Sequence, residues 1–231
     1  MADHTVKSFT EELDALTQEV ARMGGLAEMA VNESITSVVR RDTSLAQGVI
    51  ERDARIDTAQ HDVEKRAIKL FALRQPMASD LRVVLTGWRI AGELERVGDL
   101  AKNIAKRALI LNQAEPIQLT RSVERMGKIA AQHLKQVLDA YANRDIDAAV
   151  GVWFHDEDID AHYNSLFREL LTYMMEDPRT ISSSAHLLFI AKNIERIGDH
   201  GTNIAEYIYF LVTGEQIATQ RPRPPSSETT E

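Results

Sequence analysis

The chain has 231 residues, a net charge of −8 and no cysteine, and 44% of its residues are hydrophobic. These values exclude disulfides and thiolate metal sites, and they argue against a dominant nucleic-acid surface or an anionic-membrane binder. The N-terminal stretch "MADHTVKSFTEEL" lacks the apolar segment of a secretory signal, and no stretch is long and apolar enough to span a bilayer. We therefore expect a soluble cytoplasmic protein.

Long stretches without proline, with apolar residues at helical spacing, predict an all-α fold. In the first of them, Leu13, Leu16, Val20 and Met23 are separated by three or four residues, which places them on one helix face. We predict six long helices, in chain order, at 6–40, 44–73, 78–112, 118–143, 146–176 and 181–213. The segments Asp42-Thr43-Ser44 and Asn143-Arg144-Asp145 carry the residue types of turns and helix caps.

An internal repeat divides the chain into two similar halves. "GELERVGDLAKNIA" begins at Gly92 and "KNIERIGDHGTNIA" begins 100 residues later at Lys192, and a longer segment from Met23 aligns without a gap with one from Met126. A period near 100 residues is too long for a solenoid unit and matches a three-helix bundle. We expect two tandem three-helix bundles, at 1–114 and 115–214, joined near Pro116. A disordered, Pro-rich tail is predicted at 215–231.

Acidic residues recur at a spacing of four on the second and third predicted helices of each half, so they share a helix face. The candidate residues are Asp53, Asp57, Glu95, Asp99 and Asn103 in the first half, and Asp156, Asp160, Glu195, Asp199 and Asn203 in the second. Antiparallel packing of these helices would bring four carboxylates and an amide together. Such oxygen-only ligand sets suit Mg, Mn or Fe(II) and, less readily, Zn.

A plain structural interpretation of the same residues stays open, in which the acidic rows are a solvated face paired with Arg96 and Arg196. Gly98 and Gly198 each cost about 1 kcal/mol relative to alanine inside a helix. They therefore indicate close approach of another helix, or room beside the carboxylates. His200 has no counterpart in the repeat, where Leu100 stands, so we interpret it as incidental to the site.

Two segments resemble the signature segments of the PhoU family, the phosphate-specific transport system accessory proteins. They are "QPMASDLRVVLTGWRIAGELERVGDLAKNIAKRA" and "LLFIAKNIERIGDHGTNIAEYIYFLVTGE", and the resemblance extends over about residues 5–215. It implies two three-helix bundles with pseudo-twofold similarity. It also implies metal clusters on the bundle surfaces, held by the ten residues named above, although some family members carry no metal. The Arg- and Pro-rich tail departs from the family pattern.

The resemblance also implies a function. Proteins of this family are negative regulators of the phosphate-starvation response, and they link the phosphate ABC transporter to a membrane sensor histidine kinase. We therefore expect three partners: the transporter's ATPase, the sensor kinase and a second copy of the chain in a homodimer. An acidic chain without a phosphate-binding loop is poorly suited to bind phosphate directly, so we expect the signal to arrive through partner conformation.

Two other classes of function compete with this adaptor role. A metal-dependent hydrolase or oxidase would use the clustered carboxylates to activate water and would lose activity in Asp99→Ala. A histidine phosphotransfer bundle would be labelled by its kinase at His61, His133 or His162. The first lacks a recognisable general base or electrophile in the sequence, and the second leaves the duplicated acidic rows without a role. We therefore predict a regulator rather than an enzyme.

Overall fold

The computed structural model describes the backbone of residues 2–116 and 119–217, and the side chains of these residues except 2–7 and Asp156. The helices in these ranges are α1 (Ala2–Val39), α2 (Thr43–Arg74), α3 (Ala78–Leu111), α4 (Thr120–Asn143), α5 (Ile146–Phe154), α6 (Asp156–Glu176) and α7 (Ile181–Thr213). The described ranges contain no strand, which confirms the predicted all-α class. Most of the predicted tail, 218–231, lies outside the described residues.

Helix caps occur at the predicted turns. The carboxylate of Asp42 accepts a hydrogen bond from the backbone N–H of Leu45 at 2.9 Å, at the start of α2. Asp145 does the same for Ala148 at 3.0 Å, at the start of α5. Each cap satisfies a backbone donor that has no partner within its own helix. The two caps are equivalent positions of the internal repeat, so both halves begin their second helix in the same way.

The predicted helix at 146–176 is interrupted at His155, so it is two helices rather than one. The His155 backbone has ψ near 8°, and its imidazole Nδ1 lies 2.6 Å from the carbonyl oxygen of Gly151. At the break, the backbone N–H of Asp158 bonds the carbonyl oxygen of His155 at 3.2 Å, which is the tighter i→i+3 spacing of a 3₁₀ turn. The corresponding helix of the first half, α2, is continuous and has Arg52 at this position.

The seven α-helices form two three-helix bundles that share one hydrophobic core, with α5 and α6 together taking the place of one helix in the second bundle. Helices α1–α3 make the first bundle, α4–α7 make the second, and the bundles meet where α3 packs on α7 and α1 on α4. At the α1–α4 contact, a Cβ on Gly127 would lie 2.6 Å from Ile35 Cδ1, and one on Gly24 would lie 2.6 Å from Leu138 Cδ2. The repeat relates these glycines to each other, and Ile35 to Leu138, so the bundles are related by an approximate twofold. Among the described helices, none is long and apolar enough to cross a membrane.

Candidate functional site

The acidic residues of the first half lie together around a lysine. Lys102 on α3 donates hydrogen bonds to Asp53 on α2 and, at 2.9 Å, to Asp99 on its own helix. The Asp53 side chain is only 8% exposed, as expected for a residue on the bundle seam. A buried carboxylate is costly unless it is paired, and here the ammonium of Lys102 pairs it.

The two remaining carboxylates of this row, Asp57 and Glu95, have raised pKa values. Burial raises the pKa of Asp57, and repulsion from Asp53 raises it further. Burial likewise raises the pKa of Glu95, with repulsion from Asp99 and Asp57 adding to it, although Arg96 opposes the shift. The hydrogen bond from Lys102 to Asp53 raises the pKa of the lysine, so it stays charged at neutral pH. The first row thus contains its own counter-cation.

This arrangement does not fit a metal ion in the first row, because an ammonium holds the oxygens that would be ligands. Gly98, whose role the sequence left open, makes room for a side chain: its Cβ would lie 2.8 Å from Ile56 Cδ1. Across the described residues, no three carboxylate or imidazole groups lie close enough together to hold an ion. Metal binding by Asp53, Asp57, Glu95 and Asp99 therefore stays a prediction, and the bonds from Lys102 to Asp53 and Asp99 argue against it.

The second row is neutralised differently. Thr202 occupies the position of Lys102, and its hydroxyl donates to the carbonyl of Gly198 at 3.0 Å. Lys192 lies one helical turn before Glu195 on α7, and its Nζ is 2.5 Å from Glu195 Oε1. Burial lowers the pKa of Lys192, but this bond and the charge of Asp199 outweigh burial and raise it.

One oxygen of the second row has no hydrogen-bond partner within the described residues. Glu195 Oε2 is buried and unpaired, whereas the side chains of Asp160 and Asp199 are exposed and take part in polar interactions. The backbone of Asp156 begins α6, but its side chain lies outside the described residues. No ammonium stands at the Thr202 position, although Lys192 bonds Glu195, and the described carboxylates of this row do not by themselves lie close enough together to hold an ion.

Asn103 and Asn203 lie away from the carboxylates of their rows. Each four-residue step along a helix rotates the side chain by about 40°, so each asparagine is about 80° from the glutamate that opens its row. That rotation places both amides at the contact between α3 and α7. Asn203 donates there to Glu93 Oε2 at 3.1 Å, and Asn103 lines a groove with Arg107.

Glu93 is the central polar residue of this contact, and the sequence reasoning missed it. Its carboxylate accepts hydrogen bonds from His200 Nδ1 at 2.6 Å, Asn203 Nδ2 at 3.1 Å and the Tyr207 hydroxyl at 3.3 Å. Burial raises the pKa of Glu93, but the bonds from His200 and Asn203 outweigh burial and lower it. His200 therefore joins the two bundles. The repeat hid this role because Asn193 and Leu100 replace Glu93 and His200 at the equivalent positions.

Three histidines that are scattered in the sequence line one groove of the second bundle. His133, His155 and His162 border a cavity of about 810 Å³ together with Asp139 and Asp158. The Nδ1 of His162 lies 2.7 Å from the carbonyl oxygen of Asp158 on its own helix, as His155 does with Gly151. Helix packing places these three histidines around one groove, which single-sequence spacing does not reveal.

The fold and the duplicated acidic rows define a class of proteins built from two related three-helix bundles. A family model described as the PhoU domain matches residues 20–108 and again 123–208, one match in each bundle. The chain belongs to the PhoU family. The two matches confirm both the resemblance and the internal repeat.

Relatives with this architecture are similar over nearly their whole length. A protein of Caulobacter vibrioides (strain NA1000 / CB15N), named phosphate-specific transport system accessory protein PhoU homolog, is 58% identical over 96% of this chain and 97% of its own. The protein named phosphate-specific transport system accessory protein PhoU in Escherichia coli (strain K12) is 40% identical over 92% of this chain and 88% of its own. The crystal structure of PhoU from Pseudomonas aeruginosa, 37% identical, superposes with a TM-score of 0.87 over 90% of this chain and all of that one.

Proposed function

We propose that the chain regulates phosphate transport as a cytoplasmic accessory protein and restrains the phosphate-starvation response when phosphate is plentiful. In this role it links the ATPase of the phosphate ABC transporter to the sensor histidine kinase of the same system. The observation that carries the proposal is the 58% identity, over 96% of the chain, to a protein named as a phosphate transport accessory protein. Action through binding rather than catalysis, and assembly as a homodimer, are part of the proposal.

The contacts of the first acidic row support a binding role. A hydrolytic metal centre needs carboxylate oxygens free to coordinate ions, yet Lys102 bonds both Asp53 and Asp99. The half-exposed Asp57 and Glu95 flank that pair and present negative charge at the surface of α2 and α3. Such a charged surface favours recognition of a partner protein.

The experiment that tests the proposal is deletion of the chain from its own organism, with a reporter driven by a phosphate-starvation promoter. In high phosphate, we expect the reporter to be active in the deletion strain and silent again when the wild-type chain is restored. A second deletion, of the sensor kinase, should silence the reporter in the absence of the chain. A reporter that stays silent in the first deletion strain would refute the proposal.

We also propose that a divalent metal ion binds the second row through Asp156, Asp160, Glu195 and Asp199. The unpaired Glu195 Oε2 and the absence of a lysine at Thr202 support this choice over the first row. Because Asp160, Glu195 and Asp199 do not by themselves lie close enough together to hold an ion, binding would require Asp156 or a shift of these side chains, and the ion would then neutralise the carboxylates and hold α6 to α7. Its oxygen ligands suit Mg, Mn or Fe(II) and, less readily, Zn.

Metal content after loading the purified, untagged protein with manganese tests this second proposal. We expect the ion in wild type and in Asp99→Ala, and its loss in Asp199→Ala. Thr202→Lys should displace it as well, because it places an ammonium where Lys102 stands in the first half. An apo wild type, or an ion lost in Asp99→Ala and kept in Asp199→Ala, would contradict the proposal.

A further inference from the structure

The contact between α3 and α7 has two ends that the approximate twofold relates to each other. At one end the Arg89 guanidinium lies 5.5 Å from the centre of the Tyr207 ring. At the other, the Arg107 guanidinium lies 4.1 Å from the centre of the Phe189 ring. The repeat relates Arg89 to Phe189 and Tyr207 to Arg107, so the same cation–π pair forms at both ends with the partners exchanged.

The two ends differ in the residue at their centre. Glu93 fills the first end and receives hydrogen bonds from α7, as described above, whereas Asn193 takes its place at the second end. The second end is an open groove of about 450 Å³. It therefore has the framework of the first end without the carboxylate that fills it.

Positive charge surrounds this groove although the chain as a whole is acidic. The basic residues Lys106, Arg107, Lys192 and Arg196 line it, and within the described part of the chain no Asp or Glu does. Lys192 is paired with Glu195, but Lys106, Arg107 and Arg196 have no carboxylate partner among the described residues. Four cations around one groove repel one another, and an anion placed between them relieves that repulsion.

Apolar side chains are exposed at the rim of the same groove. Ile110 is 50% exposed and Phe189 is 53% exposed. Cations and apolar rims together match a polypeptide that carries both carboxylates and apolar side chains. A small inorganic anion would leave Ile110 and Phe189 uncovered. It would also lack a helix N-terminus to bind, because the groove lies along the middle of α7 and the last turns of α3.

We propose that this cationic groove docks an acidic, partly apolar segment of a partner protein. A carboxylate of that segment lies between Arg107 and Asn193, in the position that Glu93 has at the other end. This inference rests on the proposed function in requiring a partner protein, and it assigns the surface that meets that partner. The electrostatic part of the contact makes docking sensitive to salt.

Photo-crosslinking in cells tests the groove directly. A photoreactive amino acid replaces Ile110 in the full chain, and the matched control carries it at Ile68, which is 53% exposed on α2. We expect the Ile110 position to crosslink a protein segment rich in Asp and Glu, identified by mass spectrometry, and the Ile68 position not to crosslink that segment. A crosslinked segment without acidic residues, or no crosslinked protein at all, would overturn the proposal.

Charge reversal shows whether the cations carry the contact. Lys106→Glu with Arg196→Glu should reduce the crosslink by at least about tenfold, because each reversal replaces an attraction across the interface with a repulsion. The control Lys65→Glu with Lys69→Glu makes the same change in net charge on α2 and should leave the crosslink unchanged. Lysines placed at the acidic positions of the partner segment should restore crosslinking to the reversed groove. A crosslink that survives reversal, or that inorganic phosphate abolishes, would identify another contact or a small-anion site and refute the proposal.

The starvation reporter separates this inference from the proposed function. Reversal of the groove charges should activate the reporter in high phosphate, as deletion of the whole chain does. If deletion activates the reporter and groove reversal leaves it silent, the regulatory function stands and the groove is not its docking surface. If deletion itself has no effect, the proposed function fails irrespective of the crosslinks.

Discussion

In the first half of the chain, Lys102 lies between Asp53 and Asp99, whereas in the second half Thr202 occupies its position and Lys192 pairs with Glu195 from one turn earlier. Both halves carry the same acidic residues, yet a lysine that has no counterpart in the other half neutralises each row: Lys102 in the first and Lys192 in the second. A duplicated motif therefore does not imply two equivalent sites. The side chains that surround the motif decide whether its oxygens are free for an ion.

The two ends of the contact between α3 and α7 are also related by the repeat, and they also differ in their charged residues. Glu93 fills one end, and the equivalent end has Asn193 and four basic residues around a groove. Glu93 and His200, which join the bundles at one end, have no counterparts at the other end, so residues that differ between the halves give the two ends different properties. The comparison of the halves predicts unequal effects for equivalent substitutions.

The largest expected effect is the loss of Lys102. Lys102→Ala leaves Asp53, 8% exposed, without its cation, and we expect the free energy of unfolding to fall by about 3 kcal/mol. The matched change in the second half, Lys192→Ala, removes a side chain that is 48% exposed and should cost about 1 kcal/mol or less. Urea unfolding at neutral pH measures both. Equal losses would show that the two rows are neutralised alike.

A smaller effect is expected at the glycines between α1 and α4. Gly127→Ala brings a methyl group within 3 Å of three atoms of Ile35, and we expect a loss of about 2 kcal/mol. Gly24→Ala meets only one terminal methyl of Leu138 at that range, so it should be nearly neutral. Gly25→Ala, with nothing within 4 Å, should stabilise the protein by about 1 kcal/mol through helix propensity. A reversed order of these three variants in thermal unfolding would contradict the packing.

Glu93→Gln should lower the free energy of unfolding by about 1 kcal/mol, because the charge-assisted hydrogen bonds between α3 and α7 become neutral ones. The folded-state pKa of Glu93 is lowered from its ordinary value of 4.5. Its stabilisation is therefore present above that value and is lost as the pH falls through the lower folded-state pKa. Urea unfolding of wild type and variant between pH 3 and 7 should show the two converging at the acid end. A difference independent of pH would assign the effect to shape rather than charge.

The smallest expected effect is a gain in stability from removing charge in the first row. The pKa of Asp57 is raised by burial and by Asp53, so its ionised form is unfavourable in the folded protein. Asp57→Asn should therefore stabilise the protein by about 0.5 kcal/mol at pH 7, because it removes the repulsion of one like-charge pair. The gain should shrink as the pH falls and wild-type Asp57 protonates. Destabilisation at pH 7 would show that the carboxylate makes a favourable contact, such as a bound cation.

Much of the fold follows from local sequence signals, and particular residues explain where the predictions differ from the structure. Helical spacing and the caps at Asp42 and Asp145 located the helices within a few residues. The break at His155 was missed because helical periodicity continues across it, with Val152, Ile159 and Leu166 at seven-residue spacing. The acidic rows were found from spacing, but spacing did not reveal that Lys102, which lies within the repeated segment and is replaced by Thr202 in the second half, would bond Asp53 from another helix.

The sequence by itself determined the all-α class, the duplication and the membership of a family, because periodicity, repeats and motif identity can be recognised from the order of residues without knowledge of their contacts. Only the tertiary structure decided which charges meet. The bond of Lys102 to Asp53, the joining of Glu93 to His200 and the cationic groove around Arg107 each unite residues from different helices. Electrostatic and hydrogen-bond energies depend on distances in space, and helix packing sets those distances.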